Sequence, residues 1–174
     1  MNYAQALYSL AAEESASEAV LQQLEALSAS FGQEPAFLKL LSAPNISKDE
    51  RRNILDESFR QHVHPYVLNF LKLLTDKGHI GLFSDCCKQY KKQYNLDHNI
   101  LEVRAVSAVA LTEPQRHKLT QKLSSVTGKT IVLSAAVDPS VLGGIRLDYD
   151  GMRLDGTVQN RLDAMGNMLK NTVL

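Results

Sequence analysis

Apolar residues recur three and four positions apart through the first half of the chain, which is the spacing of helices with one buried face. Proline, glycine and capping residues divide this half into six predicted helices. They begin near Asn2, Ser17, Pro35, Ser47, Pro65 and Ile80. Gly32 is expected to end the second helix, and Glu50, three residues after Ser47, predicts a capping box at the start of the fourth.

The fifth predicted helix differs from the others because apolar side chains occupy more than half of its circumference. Residues 67–77 contain Val67, Leu68, Phe70, Leu71, Leu73 and Leu74. We therefore expect this helix to lie at the centre of the helical part. Small residues along the first helix (Ala4, Ala6, Ala11 and Ala12) would let another helix approach closely. A groove for a partner's amphipathic helix is one interpretation, and an ordinary helical core is the other.

The pattern changes in the second half of the chain, where apolar and polar residues alternate. Residues 101–105, Leu-Glu-Val-Arg-Ala, have the period of two that is typical of a strand. A domain boundary is predicted at residues 97–100. It divides the chain into a helical domain, 1–98, and a mixed domain, 99–174.

A helix and a strand are predicted next in the second domain. The helix begins after Thr112 and ends at Gly128. Its expected buried stripe consists of Leu119, Leu123 and Val126. Residues 130–137 are β-branched and apolar enough to form an interior strand of a sheet.

A hairpin and a last helix complete the predicted elements. Asp150-Gly151 is a dipeptide favoured in two-residue turns, and it joins the predicted strands 145–149 and 152–154. A final amphipathic helix follows Gly156. The predicted fold class is α+β: an N-terminal six-helix bundle, then a small α/β C-terminal domain with a β-hairpin and flanking helices.

Composition excludes several classes of protein. The 174 residues are 44% hydrophobic and 22% charged, as in a soluble folded protein. The 19 basic and 19 acidic residues give no net charge, so the positive surface of a nucleic-acid binder is not expected. Apolar runs fall far short of the roughly 18 residues of a membrane span, so no direct membrane insertion is expected. No Lys or Arg precedes Lys39, which argues against a secretory signal or a transit peptide.

The two cysteines, Cys86 and Cys87, are adjacent in sequence. Neighbouring cysteines cannot adopt ordinary disulfide geometry without strain, so we expect free thiols in a reducing cytosolic compartment. Packing as small apolar groups is favoured over a functional thiol.

Three segments contain residues that other proteins use for chemistry, and each has a simpler interpretation. Residues 128–130, Gly-Lys-Thr, resemble the end of a phosphate-binding loop, but they join a helix to a strand, so a helix stop is favoured. The aspartates of residues 148–155 lack the spacing of a calcium loop and fit a hairpin. The histidines of residues 62–64 have no third ligand nearby in sequence. No catalytic residue, metal or cofactor is expected.

Several segments together resemble one known family. The second domain contains Asp138-Pro139-Ser140-Val141-Leu142-Gly143-Gly144-Ile145, then Leu154-Asp155-Gly156-Thr157. The first helix contains Tyr3-Ala4-Gln5-Ala6-Leu7-Tyr8, and the fifth contains Asn69-Phe70-Leu71. In this order, over almost the whole chain, these segments resemble the delta subunit family of F-type ATP synthase, whose mitochondrial relative is the oligomycin sensitivity conferring protein.

The resemblance implies a non-catalytic stator subunit of the peripheral stalk. Such a subunit links the catalytic alpha/beta head to the b subunits, so that rotary torque is resisted during proton-driven ATP synthesis. It would lie at the cytoplasmic face of the cell membrane, held there by the other subunits. No cofactor is implied.

The resemblance also implies where the partners bind. The N-terminal helix of an alpha subunit would occupy a groove formed by Tyr3, Ala6, Leu7, Leu10, Asn69, Phe70 and Leu73. The b subunits would contact Ile145, Leu154 and Leu162. A structural signature would consist of Asp138, Pro139, Gly143, Gly144, Asp155 and Gly156.

Two other functions remain open at this point. One is an unrelated helical adaptor between proteins. The other is a small nucleotide-binding enzyme that uses residues 128–130.

Overall fold

A computed structural model describes residues 3–43, 45–141 and 143–156. The chain divides into two units, Met1–Asp97 (unit 1) and His98–Leu174 (unit 2). Within the described residues the fold is α+β, with seven α-helices and one four-stranded sheet. The predicted final helix, with Leu162, lies outside these residues.

Unit 1 contains six of the helices. They are α1 (Tyr3–Glu13), α2 (Ser17–Gln33), α3 (Pro35–Ser42), α4 (Lys48–Phe59), α5 (Pro65–Asp76) and α6 (Phe83–Asp97). A short 3-10 turn, Ile80–Leu82, precedes α6. The prediction that a helix begins at Ile80 was therefore wrong by one turn.

Local signals account for several helix starts. At α4 the Glu50 backbone N–H donates to Ser47 Oγ at 3.2 Å, and the Ser47 N–H donates to Glu50 Oε2 at 2.9 Å, which confirms the predicted capping box. These bonds favour the carboxylate and lower the pKa of Glu50. Pro35 and Pro65 each occupy the first residue of a helix, where a missing N–H costs least.

Gly32 does not end α2, contrary to the prediction. The helix continues to Gln33 and stops because Pro35 follows, which disfavours helical geometry at the preceding residue. Glu34 accordingly has φ −119° and ψ 68°.

The core of unit 1 is built around α5, as the sequence predicts. Its buried residues are Val67, Leu68, Phe70, Leu71, Leu74 and Thr75. They pack with apolar side chains from the other five helices in one cluster. Within this cluster the Phe31 ring contacts three other phenylalanine rings, with centroids 5.1 to 6.1 Å apart. Tyr8 and Tyr90 add an edge-to-face pair between α1 and α6.

Unit 2 contains the sheet and one described helix. Its elements are β1 (Ile100–Ser107), α7 (Glu113–Thr127), β2 (Thr130–Val137), β3 (Ile145–Tyr149) and β4 (Met152–Asp155). The strand order is β2-β1-β3-β4. β1 and β2 are parallel and are connected through α7, whereas β3 is antiparallel to both β1 and β4.

The turns of unit 2 confirm two predictions. Gly128 ends α7 in the left-handed conformation, with φ 67°. Asp150 and Gly151, with φ 46° and 76°, form the turn between β3 and β4. Positive φ at both central residues matches the twist of the flanking strands.

Two packing predictions for unit 2 were wrong. β2 is an edge strand of the described sheet, and the interior strands are β1 and β3. Only Ile131 of β2 is buried, while Val132 is 51% exposed. On α7 no residue is buried: Leu119 and Leu123 are half-buried and Val126 is 74% exposed. α7 packs against β2, and its Leu123 contacts the small core of Leu101, Val103 and Ile131 without becoming fully buried.

Among the residues described, none of the helices is both long and apolar enough to cross a lipid bilayer.

Replacing two glycines of unit 1 with alanine is expected to change the free energy of unfolding in opposite directions. Gly78 has φ 71°, so Gly78→Ala is expected to lower the free energy of unfolding by about 1 kcal/mol. Gly32 is inside α2, and a Cβ added there would meet nothing within 4 Å, so Gly32→Ala is expected to raise that free energy by about 0.5 kcal/mol. Urea unfolding followed by circular dichroism at 222 nm measures both. Equal effects of the two substitutions would contradict the assignment of Gly32 to the helix.

Candidate docking surfaces

Two side-chain hydrogen bonds connect α1 with α5, one at each end. Tyr3, at the start of α1, bonds through its hydroxyl to His79 Nδ1 at 3.2 Å, just beyond α5. Tyr66, at the start of α5, donates to Glu14 Oε1 at 2.5 Å, just beyond α1. The two helices are therefore antiparallel neighbours.

Electrostatics support the second of these bonds. The hydrogen bond to Glu14 raises the pKa of Tyr66, with partial burial and the charges of Glu14 and Glu13 acting in the same direction. The Glu14 carboxylate thus contacts the Tyr66 hydroxyl directly.

The seven residues predicted for a helix-binding groove differ in burial and fall into three sets. Leu7 and Phe70 are 4% and 5% exposed and belong to the core of unit 1. Tyr3 is half-buried in its bond with His79. The remaining four, Ala6, Leu10, Asn69 and Leu73, are exposed, and we call them the α1–α5 surface.

The two leucines of the α1–α5 surface are both exposed. Leu10 is 47% exposed and Leu73 is 42% exposed. The structure thus brings the predicted positions together on two adjacent helices, with apolar side chains facing solvent.

Ion pairs on the other flank of α5 were not predicted. Arg52 of α4 binds Asp76 through Nε at 3.1 Å and Nη2 at 2.7 Å, and Lys72 Nζ lies 2.7 Å from Asp56 Oδ1. These residues are more than 15 positions apart in sequence, so helical spacing carries no signal for them. The pairs connect α4 to α5 and neutralise the charges on that side.

In unit 2 an apolar face continues from the core across β3 to β4. Leu147 is paired with Leu154, and Tyr149 with Met152. Exposure rises along this direction, to 57% at Met152 and 54% at Leu154. Of the predicted contacts with b subunits, Ile145 is half-buried in β3, Leu154 is exposed on β4, and Leu162 lies outside the described residues.

The predicted signature residues hold turns of unit 2. Asp138 Oδ1 accepts hydrogen bonds from Ser140 N–H at 3.0 Å and Ser140 Oγ at 2.6 Å, which lowers the pKa of Asp138. The Asp138 N–H donates to Ser107 O at 2.9 Å and so attaches this turn, which includes Pro139, to β1.

Glycines complete these turns. Gly143 and Gly144 have φ 152° and 86°, values that favour glycine. Gly156 donates its N–H to Ile145 O, and a Cβ there would lie 3.2 Å from that oxygen. Asp155 is the register partner of Arg146. The signature therefore specifies backbone path and strand register.

The segments considered for chemistry have structural roles. In residues 128–130 the glycine ends α7 and the threonine begins β2, so they join a helix to a strand. Asp148 accepts from Arg153 Nε at 2.8 Å. His64 Nδ1 accepts from the Tyr66 N–H at the start of α5. Within the described ranges no three His, Cys, Asp or Glu residues are placed to hold a metal ion.

Similarity to known proteins extends over almost the full chain. A sequence profile described as "ATP synthase delta (OSCP) subunit" matches residues 1–169. The chain belongs to this family.

Individual relatives agree with the delta (OSCP) assignment. The ATP synthase subunit delta of Clostridioides difficile (strain 630) is 32% identical over 172 residues, covering 98% of this chain and 95% of the relative. That of Alkaliphilus oremlandii (strain OhILAs) is 33% identical, covering 99% and 96%. A chain in the Toxoplasma gondii mitochondrial ATP synthase hexamer has the same fold, with a TM-score of 0.75 at 19% identity over 96% of this chain and 94% of that one.

The delta (OSCP) family consists of non-catalytic components of the peripheral stalk of F-type ATP synthase, and this chain is such a subunit. It is a peripheral part of a membrane-bound, hetero-oligomeric complex. An unrelated adaptor and a nucleotide-binding enzyme are not favoured.

Cys86 and Cys87 of this delta (OSCP) chain are expected to be unreactive while it is folded. They are 8% and 7% exposed, and burial raises the pKa of both thiols, that of Cys87 to about 12. Their reaction with a disulfide reagent at pH 8 should be roughly a hundredfold slower than in denaturant. Ser84→Cys places a control thiol at an exposed position of the same helix and should react rapidly. Rapid reaction of the wild type would contradict this packing.

Proposed function

We propose that the α1–α5 surface binds the N-terminal helix of an alpha subunit and that unit 2 binds the b subunits of the peripheral stalk. The six helices of unit 1 act together as one bundle in this role. The chain then connects the catalytic head to the stalk at the cytoplasmic face of the cell membrane.

The observation that carries the proposal for unit 1 is the exposure of Leu10 and Leu73 on adjacent antiparallel helices. An amphipathic helix offers apolar side chains at three- and four-residue spacing, which fits two such leucines. Ala6, one turn before Leu10 on α1, has a small exposed side chain, so a docked backbone could approach closely. Burying both leucines would stabilise the complex, because apolar area removed from water contributes roughly 25 cal/mol per Å².

The support beneath this surface favours tight binding. Leu7 and Phe70 are buried under it and fix α1 and α5 from below. The bonds of Tyr3 with His79 and of Tyr66 with Glu14 connect the same two helices at their ends. A surface held at fixed spacing loses little conformational freedom on binding.

For unit 2 the proposed b-subunit contact is the apolar part of β3 and β4. Met152 and Leu154 are more than half exposed there, next to half-buried Ile145 and Leu147. Leu162 stays a prediction from the resemblance. A stalk helix that covered this face would remove exposed apolar area from water.

A stator must hold a stationary head against the torque of a rotating shaft. The link therefore has to bind two partners at once and release neither under load. Separate surfaces in separate units meet this requirement, because the partners do not compete for the same residues.

A peptide copying the N-terminal segment of the alpha subunit from the same source is expected to bind one-to-one and to gain helix content. Leu10→Glu and Leu73→Glu should each weaken binding about tenfold or more, because a charge would be buried against the helix. Leu40→Glu is the matched control, since Leu40 is also 42% exposed but lies on α3. Calorimetric titration with circular dichroism measures affinity and folding. Equal weakening by Leu40→Glu would contradict the assigned surface.

A C-terminal fragment of the b subunit is expected to bind the full chain through β3 and β4. Leu154→Asp should weaken binding about tenfold by placing a charge in the apolar contact. Val132→Asp is the control, because Val132 is 51% exposed on β2, and Leu154 is 54% exposed. Light scattering and calorimetry measure the complex. If both variants bind like the wild type, the proposed b-subunit contact is wrong.

A further inference from the structure

We propose that charges at the two ends of the α1–α5 surface fix the direction of the docked helix, with its basic end at Glu13 and Glu14 and its acidic end at Lys77. This inference rests on the proposed function of the surface. It adds a property that apolar burial alone does not supply, since a leucine stripe can be covered in either direction.

The acidic end of the α1–α5 surface, which would face the basic end of the docked helix, is defined by contacts to Tyr66. Glu14 Oε1 accepts from the Tyr66 hydroxyl, and the charge of Glu13 acts on the same hydroxyl. Both glutamates are exposed at the end of α1. They share the helical spacing of Tyr3, Ala6 and Leu10, so they continue the same stripe.

The basic end of the α1–α5 surface, which would face the acidic end of the docked helix, is defined by the end of α5. Lys77 is the C-cap of α5 and is exposed. It follows Tyr66, Asn69 and Leu73 at spacings of three, four and four residues, which places all four on one face of the helix. The bond between Tyr3 and His79 marks this same end on α1.

The charges of the neighbouring helices largely offset one another. On the α4 flank the charged groups pair with each other, Arg52 with Asp76 and Lys72 with Asp56. On the α6 flank Lys92 lies beside Ala4 in the first turn of α1, and the Asp97 carboxylate acts on the hydroxyl of Tyr8 in the same helix, so these two charges are of opposite sign. The Lys77 charge therefore defines this end of the surface.

The distance between the ends lets each act separately. A helix the length of α1 spans about 16 Å, whereas the Debye length at physiological salt is about 8 Å. Each charge pair at such an exposed site contributes modestly. The two directions bury a similar apolar stripe, so several pairs are enough to favour one by about fivefold to tenfold.

Two synthetic amphipathic peptides test the direction. Both have blocked termini and carry leucines at identical helical positions. One peptide has lysines in its first two turns and glutamates in its last two. The other has these charges exchanged. A nitroxide label at the N-terminus broadens nearby amide signals in the full-length, nitrogen-15-labelled chain. The lysine-first peptide should broaden Glu14 and Tyr66, and the glutamate-first peptide should broaden Lys77 and His79.

Charge variants provide the control. In Glu13→Lys combined with Lys77→Glu, the two peptides should lose this preference, and 1 M NaCl should have the same effect on the wild type. If the label broadened the same amide signals for both synthetic peptides, the inference would be overturned. It would also be overturned if neither synthetic peptide bound while the alpha-subunit peptide did. Failure of the alpha-subunit peptide itself would instead overturn the proposed function.

Discussion

Burial of α5 is the constraint on which the arrangement of unit 1 depends. Val67, Leu71 and Leu74 are fully buried, and their neighbours Leu68 and Phe70 are nearly so. A helix that is apolar over so much of its surface is stable in water only when other helices cover it. α1, α2 and α4 all pack against it. The α1–α5 surface is the strip that these neighbours leave open, so the proposed docking surface is a consequence of how the core is closed.

Polar contacts then determine the register of the helices, which apolar burial leaves undetermined. The hydrophobic effect is non-directional and does not by itself fix how far one helix slides along another. Tyr3 with His79 and Tyr66 with Glu14 fix the register of α1 on α5, and Arg52 with Asp76 fixes that of α4. Each of these contacts is small in free energy. Their value lies in geometry, because they define the spacing of the helices that form the proposed docking surface.

Sequence reasoning succeeded where the determinant is local. The capping box at Ser47, the prolines that begin α3 and α5, and the Asp150-Gly151 turn each depend on a few adjacent residues, and each is present. It failed where the determinant is tertiary. The composition of β2 is that of an interior strand, yet its place at the edge depends on which strand lies beyond it. The same holds for Val126, whose exposure depends on how much of α7 the sheet can cover.

The candidate site was predictable to a similar degree, for a related reason. The signature residues point to the family because each meets a backbone requirement that few residues satisfy. Asp138 caps its own turn with its side chain, Gly144 has a positive φ, and Gly156 approaches a carbonyl oxygen closely. Leu10 and Leu73 meet no such requirement, and in sequence they look like the core leucines around them. Their exposure distinguishes them, and exposure is decided by α1 and α5 packing together across more than fifty residues of chain. The residues that identify this protein therefore build its turns, whereas those proposed to bind its partner were named through the resemblance, and only the fold shows which of them are uncovered.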